Sequence, residues 1–267
     1  MEKHTAIITG ASQGLGKAIA LELVKQGTDL ILVALPQSGL LYLGNFLERN
    51  FTVKVLCIEA DLTQMDAVDF IFNRVSEHDM VPNILVNNAG LGNWDWFSDK
   101  SLHFYKMQID LNITNTVCLT RMFLENRSEL QSYILNVGSL AARFIVPKKQ
   151  VYGATKSFIS YFTNCLRLEM AHTNISVSLL SPGGINTRPE LLEQNQQLTG
   201  FARLTILDPD KVARMAVKGM FEKKRHIVPG WANILLLYLD YIIPLRFQEM
   251  IIRKRLKSFL GDKRLVP

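Results

Sequence analysis

Cysteine is scarce in this chain. The three present, Cys57, Cys118 and Cys165, are odd in number, widely spaced and without a C-x-x-C pair. That pattern excludes a disulfide framework and reads as free thiols in a reducing, cytoplasmic compartment, and no metal site is expected. No secretory leader is expected either. "MEKHTAIITG" runs straight into an apolar, β-prone stretch and leaves no room for a charged segment, an apolar core and a cleavage site. No membrane-length apolar helix reads from the carboxyl-terminal part. Trp231 to Leu239 covers about half a span, and Asp240, Pro244 and Arg246 interrupt the residues after it. Low-complexity segments and internal repeats are absent, and no linker divides the chain before about residue 225. Excess charge is confined to one place. Of the net +6, the stretch Arg246 to Pro267 carries +5, with seven basic and two acidic residues, so the main body is balanced. No nucleic-acid partner is expected.

What the chain does have is 48% hydrophobic and 20% charged residues over 267 positions, enough to bury a substantial core. Short apolar, β-branched runs recur: "TAIITG", "DLILVA", "VKVLCIEA", "NILVNNAG", "YILNVGS" and "ISVSLLSPG". Longer stretches of helical periodicity lie between them, such as Lys17 to Gln26 and Leu102 to Leu124. Strands of this kind alternating with helices predict an α/β fold, a Rossmann-like doubly wound parallel sheet with helices on both faces. The expected division is a dinucleotide-binding and catalytic domain over residues 1–230 and a helical, basic extension over 231–267. Polar and glycine residues cluster where the runs end, at "TG", "AD", "NNAG", "GS" and "SPGG", and the carboxyl ends of an open sheet are where ligands sit.

In "TGASQGLGKAIA", Gly10, Gly14 and Gly16 separate the first strand from the first helix. Glycines let the backbone turn tightly and approach a phosphate, and the free N–H groups of the following helix favour an anion. Further on, "VYGATK" sets Tyr152 and Lys156 four residues apart, on one face of a helix. A nearby ammonium favours a phenolate and lowers the pKa of tyrosine, which suits it to pass a proton. Each feature alone is weak, since a tight turn, a strand-ending serine or a solvated Tyr–Lys pair would look the same.

The ordered set is specific. With Thr9 to Gly16 as T-G-x-x-x-G-x-G, then Asp61, "NNAG" from Asn87 to Gly90, Asn112, Ser139, Tyr152 with Lys156, and "SPGGINT" from Ser181 to Thr187, the chain resembles the short-chain dehydrogenase/reductase family over roughly residues 5 to 225. The resemblance implies a nicotinamide-dependent oxidoreductase acting on CH–OH or C=O groups. It implies that Ser12, Gln13 and Leu15 join Gly10, Gly14 and Gly16 around the cofactor. Asp61 and Leu62 would lie at the adenine, Asn88, Ala89 and Gly90 on the adenosine ribose side, and Pro182, Gly183, Ile185 and Thr187 at the nicotinamide. Tyr152 would be the proton donor and acceptor and Ser139 would hold the carbonyl oxygen. Lys156, beside Tyr152, would bind the nicotinamide ribose, and Asn112 would anchor a proton relay to it.

The second strand ends in "ILVALPQSG", where Ala34 and Leu35 offer no carboxylate to repel a 2′-phosphate and Gln37 and Ser38 offer donors. NADP(H) is favoured, with NAD(H) not excluded. Trp94, Trp96 and Phe97, together with a lid in "RPELLEQNQQLTGFARLTIL", suggest an apolar small-molecule substrate: a ketone, a 3-oxoacyl thioester or a steroid-like compound. The chain departs from the family's common tetrameric ending at "HIVPGWANILLLYLDYIIPLRFQEMIIRKRLKSFL", where Trp231, Ile234, Leu235, Leu237 and Tyr238 can share a helix face ahead of Arg253, Lys254, Arg255 and Lys257. A homodimer or other homo-oligomer is expected, or peripheral membrane contact through the basic tail. The competing reading is a dinucleotide-sensing binding protein without turnover.

Overall fold

Six parallel strands follow from the apolar runs: β1 (Thr5–Thr9), β2 (Asp29–Ala34), β3 (Val55–Glu59), β4 (Ile84–Asn87), β5 (Ser132–Val137) and β6 (Ile175–Leu180). The computed structural model describes residues 3–186, 201–244, 246–250 and 252–253. Helices α1 (Gly14–Val24), α2 (Leu40–Asn50), α3 (Ala67–Glu77), α4 (Leu102–Ile109), α5 (Asn115–Asn126) and α6 (Gln150–Glu169) lie between the strands. After β6 come the two-residue strand β7 (Gly184–Ile185), the short helix α7 (Phe201–Leu204), β8 (Ile206–Leu207), α8 (Pro209–Phe221), β9 (His226–Ile227) and α9 (Trp231–Ile242).

The main sheet runs β3-β2-β1-β4-β5-β6-β9, parallel throughout. Strand side chains alternate between two apolar clusters, as a period of two requires. Ala6 and Ile8 of β1 face the cluster built with α1, α2 and α8, whereas Ile7 faces the one built with α3, α5 and α6. Fully burying one such aliphatic side chain is worth about 1.5–3 kcal/mol, so coverage of both faces explains why β2 after Asp29 is apolar without alternation and why every residue of it is buried. β7 and β8 pair separately beyond the main sheet.

The chain winds outward from β1 in both directions, so β1 and β4 flank the switch point. Loops leaving their carboxyl ends diverge there and open a crevice. The carboxyl ends of β5 and β6 continue its floor.

Helix α9 closes the far end. Ala232 and Asn233 are buried, while Trp231, Tyr238 and Ile242 stand 64%, 67% and 73% exposed. Among the described residues no helix is long and apolar enough to cross a membrane. Arg253 pairs with Glu249 at 3.7 Å. Lys254, Arg255 and Lys257 of the basic cluster lie outside the described residues, as do Thr187 and residues 188–200 of the lid stretch.

Candidate active site

The first loop is shaped by its glycines. Gly10 and Gly14 adopt φ of +63° and +55°, the left-handed region that favours glycine. At Gly16 the constraint is space, since a Cβ there would stand 2.2 Å from the Gly10 carbonyl oxygen and 2.6 Å from Asn88 Nδ2. Asn88 straps the loop to β4, its Nδ2 donating to Thr9 O at 2.8 Å and Gly10 O at 3.2 Å. The Thr9 hydroxyl accepts from the backbone N–H groups of Asn88 and Ala89, both at 3.0 Å. Thus "TG" and "NNAG" are two halves of one support.

Helix α1 begins without a side-chain cap at Gln13 and without an acidic residue in its first turn. Its N–H groups and dipole are therefore left for an anion. Ser12 is partly buried, Gln13 exposed and Leu15 buried in the core. At the end of the neighbouring strands, Asp61 accepts from Thr63 N at 2.9 Å and Thr63 Oγ1 at 2.8 Å, and the Thr63 N–H holds its carboxyl below the usual range. The Leu62 carbonyl accepts from Asn115 Nδ2. A cradle that a Cβ would fill, ending at an uncapped helix, fits the phosphates of a dinucleotide.

The second cluster lies across the crevice. Asn112 sits in a π-helical turn, Asp110–Thr114, between α4 and α5, a local widening that turns its amide into the interior. Its Oδ1 accepts from Leu91 N at 2.8 Å, and its Nδ2 donates to Leu91 O at 3.0 Å and Thr155 Oγ1 at 2.9 Å. Gly90 separates this amide from Lys156, for a Cβ at Gly90 would lie 3.2 Å from Asn112 Oδ1 and 3.5 Å from Lys156 Nζ.

Lys156 is buried and donates to Val137 O at 2.7 Å. Burial pulls its pKa down to about 8. Its Nζ lies 5.9 Å from the centre of the Tyr152 ring. Tyr152 differs from the expectation that a neighbouring ammonium lowers its pKa. Burial raises it, and its hydrogen bond with Ser139 works only partly the other way. Desolvation is the larger of the two effects. Ser139 also caps a short turn, accepting from Ala141 N at 3.1 Å. On the far side, Leu140 N donates to Pro182 O at 3.0 Å, and Gly183 packs so closely that a Cβ would meet Asn233 Oδ1 and Thr205 O, each at 2.6 Å. Ile185 forms part of β7. The structure thus brings Asn112, Ser139, Tyr152 and Lys156 to one crevice wall, opposite the glycine loop.

Three residues in this region escape sequence reasoning: Thr155, Glu59 and Lys149. Thr155 braces Asn112 through its hydroxyl and stands at no motif position. Glu59 is placed by register, since β3 sets it beside Ala34 at the end of β2 and its Oε1 accepts from Gln37 N at 3.0 Å. The sequence shows no carboxylate at the end of the second strand, but the fold delivers one from the third. Lys149, one turn before Tyr152, holds its Nζ 4.9 Å from the centre of the Trp94 ring and 5.4 Å from that of Tyr152. Near Glu59, the Ser38 hydroxyl is buried with no hydrogen-bond partner among the described residues.

A doubly wound parallel sheet with a glycine cradle at its switch point and a Tyr–Lys pair across the crevice defines a nicotinamide-dependent oxidoreductase class. A family model described as short chain dehydrogenase matches residues 4–197. The chain belongs to that family, whose members are oxidoreductases acting on alcohol or ketone groups. An NADP-dependent 3-hydroxy acid dehydrogenase of Schizosaccharomyces pombe is 32% identical over 190 residues, 70% of this chain and 73% of its own. A very-long-chain 3-oxoacyl-CoA reductase-A of Danio rerio is 26% identical over 255 residues, covering 90% of this chain and 76% of its own. A solved short-chain dehydrogenase/reductase of Burkholderia phymatum in complex with NAD shares the fold, with a TM-score of 0.79 at 21% identity and coverage of 94% of this chain and 95% of that one.

Proposed function

We propose that this oxidoreductase reduces the carbonyl of an apolar substrate, or oxidises the matching alcohol, with NADP(H), and that Tyr152 moves the proton. The observation that carries the reading is the buried Tyr152 phenol, close enough to Ser139 for that hydroxyl to offset part of its raised pKa and standing over the same crevice as the glycine cradle. When bound, the cofactor would supply or take up the hydride. Gly10, Ser12, Gln13, Gly14, Leu15 and Gly16 would hold its phosphates, Asp61 and Leu62 its adenine end, and Asn88, Ala89 and Gly90 its adenosine ribose side. Pro182, Gly183, Ile185 and Thr187 hold the nicotinamide end, Thr187 lying outside the described residues.

Ser139 orients the carbonyl oxygen as a neutral donor placed where negative charge develops. Lys156 contributes a buried positive charge behind Tyr152 and hydroxyl contacts to the cofactor ribose. Asn112 fixes the Leu91 backbone and the Thr155 side chain around it and leads protons toward Lys156. Exposed Trp94 and Phe97, at 59% and 58%, supply apolar surface beside the crevice. Names among the relatives include a 3-hydroxy acid dehydrogenase and a very-long-chain 3-oxoacyl-CoA reductase, which supports an acyl-type substrate.

For the cofactor, Ala34 and Leu35 bring no charge against a 2′-phosphate, and the partnerless Ser38 hydroxyl offers a donor. Glu59 works against it, but its carboxylate is engaged by Gln37 N. Direct titration is expected to show tighter binding of NADPH than of NADH. Glu59→Gln is expected to widen the ratio roughly twofold to fivefold, the scale of an exposed charge contact. A clear preference for NADH in both proteins would refute the assignment.

The apolar face of α9 is read as a contact with a second copy of the chain. Sedimentation velocity at rising protein concentration is expected to show a dimer or larger species, shifted toward monomer by Tyr238→Asp with Ile242→Asp. A monomer at every concentration that pellets with anionic vesicles would instead assign this face to a membrane surface.

A further inference from the structure

The crevice holds a cation with no part in the proton transfer or in cofactor binding. Lys149 is the residue from which α6 starts, with its Nζ over Trp94 and beside the Tyr152 ring. Its position is built rather than incidental. Lys148, the residue before it, adopts φ of +70°, a left-handed conformation that lysine rarely takes. In that conformation its carbonyl accepts from Asp95 N at 3.1 Å, tying the Trp94–Trp96 loop to the start of α6, and its own Nζ lies 4.8 Å from the Trp96 ring centre.

Asp95, which follows Trp94, is engaged with Lys100 at 3.3 Å, and Asp240 with Arg143 at 3.5 Å. Among the described residues, none pairs with Lys149. Burial pushes its ammonium below the usual lysine range. A partly desolvated ammonium held only by aromatic faces keeps its three N–H donors short of strong acceptors. Two aromatic rings fix where it stands but cannot replace a counter-ion. Lys156 differs, because its ammonium already has a carbonyl acceptor.

We infer that Lys149 is an anion-recognition residue for the substrate, which carries a carboxylate one carbon removed from its reacting carbon. The inference rests on the proposed role of Tyr152, since proximity to that ring places the acid group near the reacting carbonyl. The glycine cradle lies across the crevice, so the cofactor phosphates have their own site. The exposed Trp94 ring offers an apolar surface for a chain beyond the acid, which makes the substrate class an oxo acid and its hydroxy acid. The carboxylate is bound and not transformed.

The test is calorimetric titration of the full-length, NADP(H)-loaded protein with a short 3-hydroxy acid and with its methyl ester. The wild type is expected to bind the acid at least about tenfold more tightly than the ester, the scale of a hydrogen bond between charged partners. Lys149→Met is expected to erase that difference while binding the ester unchanged, and Lys149→Arg to restore most of it. Equal binding of acid and ester by the wild type, or a preference that survives in Lys149→Met, overturns the inference. A parallel assay with uncharged ketones separates the two readings. An enzyme that reduces them without preferring acids keeps the proposed function and loses this inference. One that binds acids through Lys149 yet reduces no carbonyl keeps the site and loses the function.

Discussion

Tyr152→Phe is expected to lower carbonyl reduction by ~10²-fold or more, the range of lost general acid catalysis, while NADPH affinity stays within about a factor of two. The substitution removes one oxygen from the crevice wall and leaves the glycine cradle untouched. Burial keeps the Tyr152 pKa high, so the phenol carries its proton at neutral pH and can deliver it to a developing alkoxide. The same assay has a pH signature. Lys156 is a cation with a lowered pKa of about 8, so its charge is present below that pH and lost above it. Reduction by the wild type is therefore expected to hold level up to about pH 8 and to fall beyond it. Stopped assays across pH, with cofactor affinity measured separately, check both parts. Wild-type turnover in the phenylalanine variant would remove Tyr152 from the mechanism.

Gly16→Ala is expected to damage both cofactor binding and stability. A methyl group there would lie 2.2 Å from the Gly10 carbonyl oxygen and 2.6 Å from Asn88 Nδ2, closer than real contacts allow. The carbonyl is backbone and cannot swing aside. Either α1 moves away from the loop or the loop loses its shape, and overpacking of this kind costs about 1–3 kcal/mol. Because the loop and the helix terminus form the proposed phosphate site together, NADPH affinity is expected to fall by about tenfold or more, equivalent to about 1.4 kcal/mol. Thermal melts of the free protein and titrations of the folded variant separate the two losses. A variant that melts and binds like the wild type would show that the close approach of α1 to Gly10 does not shape the cradle.

The sheet was legible because its central strands are buried on both faces. In "DLILVA" the run after Asp29 has no polar interruption, and β2 occupies Asp29–Ala34, the same residues. The two-residue strands β7, β8 and β9 were not legible, since two residues carry no periodicity; β9 is set by the edge of the main sheet at β6, and β7 and β8 only by each other. A continuous helix was expected from Leu102 to Leu124, yet the π-helical turn divides it at the asparagine that faces the crevice. Only the weak helix propensity of Asn112 hinted at this.

The residues brought to the crevice were legible as an ordered motif set, but their electrostatics were not. Spacing places Lys156 near Tyr152, whereas the balance between its charge and burial depends on the whole wall around them. Glu59 and Lys149 stayed hidden for a related reason. Their meaning comes from parallel register and from aromatic neighbours far away in sequence, and neither leaves a local signature.

The most direct test is a screen of NADPH and NADH consumption against ketones, aldehydes, steroids, 3-oxo acids and 3-oxoacyl thioesters, with the alcohol product quantified and Tyr152→Phe run alongside. The expected result is NADPH oxidation matched one for one by alcohol formation on a carbonyl compound with an apolar chain, and nearly absent in the variant. Tight cofactor binding with no turnover of any compound in either protein would contradict it, and would mark the crevice as the sensor of a dinucleotide instead.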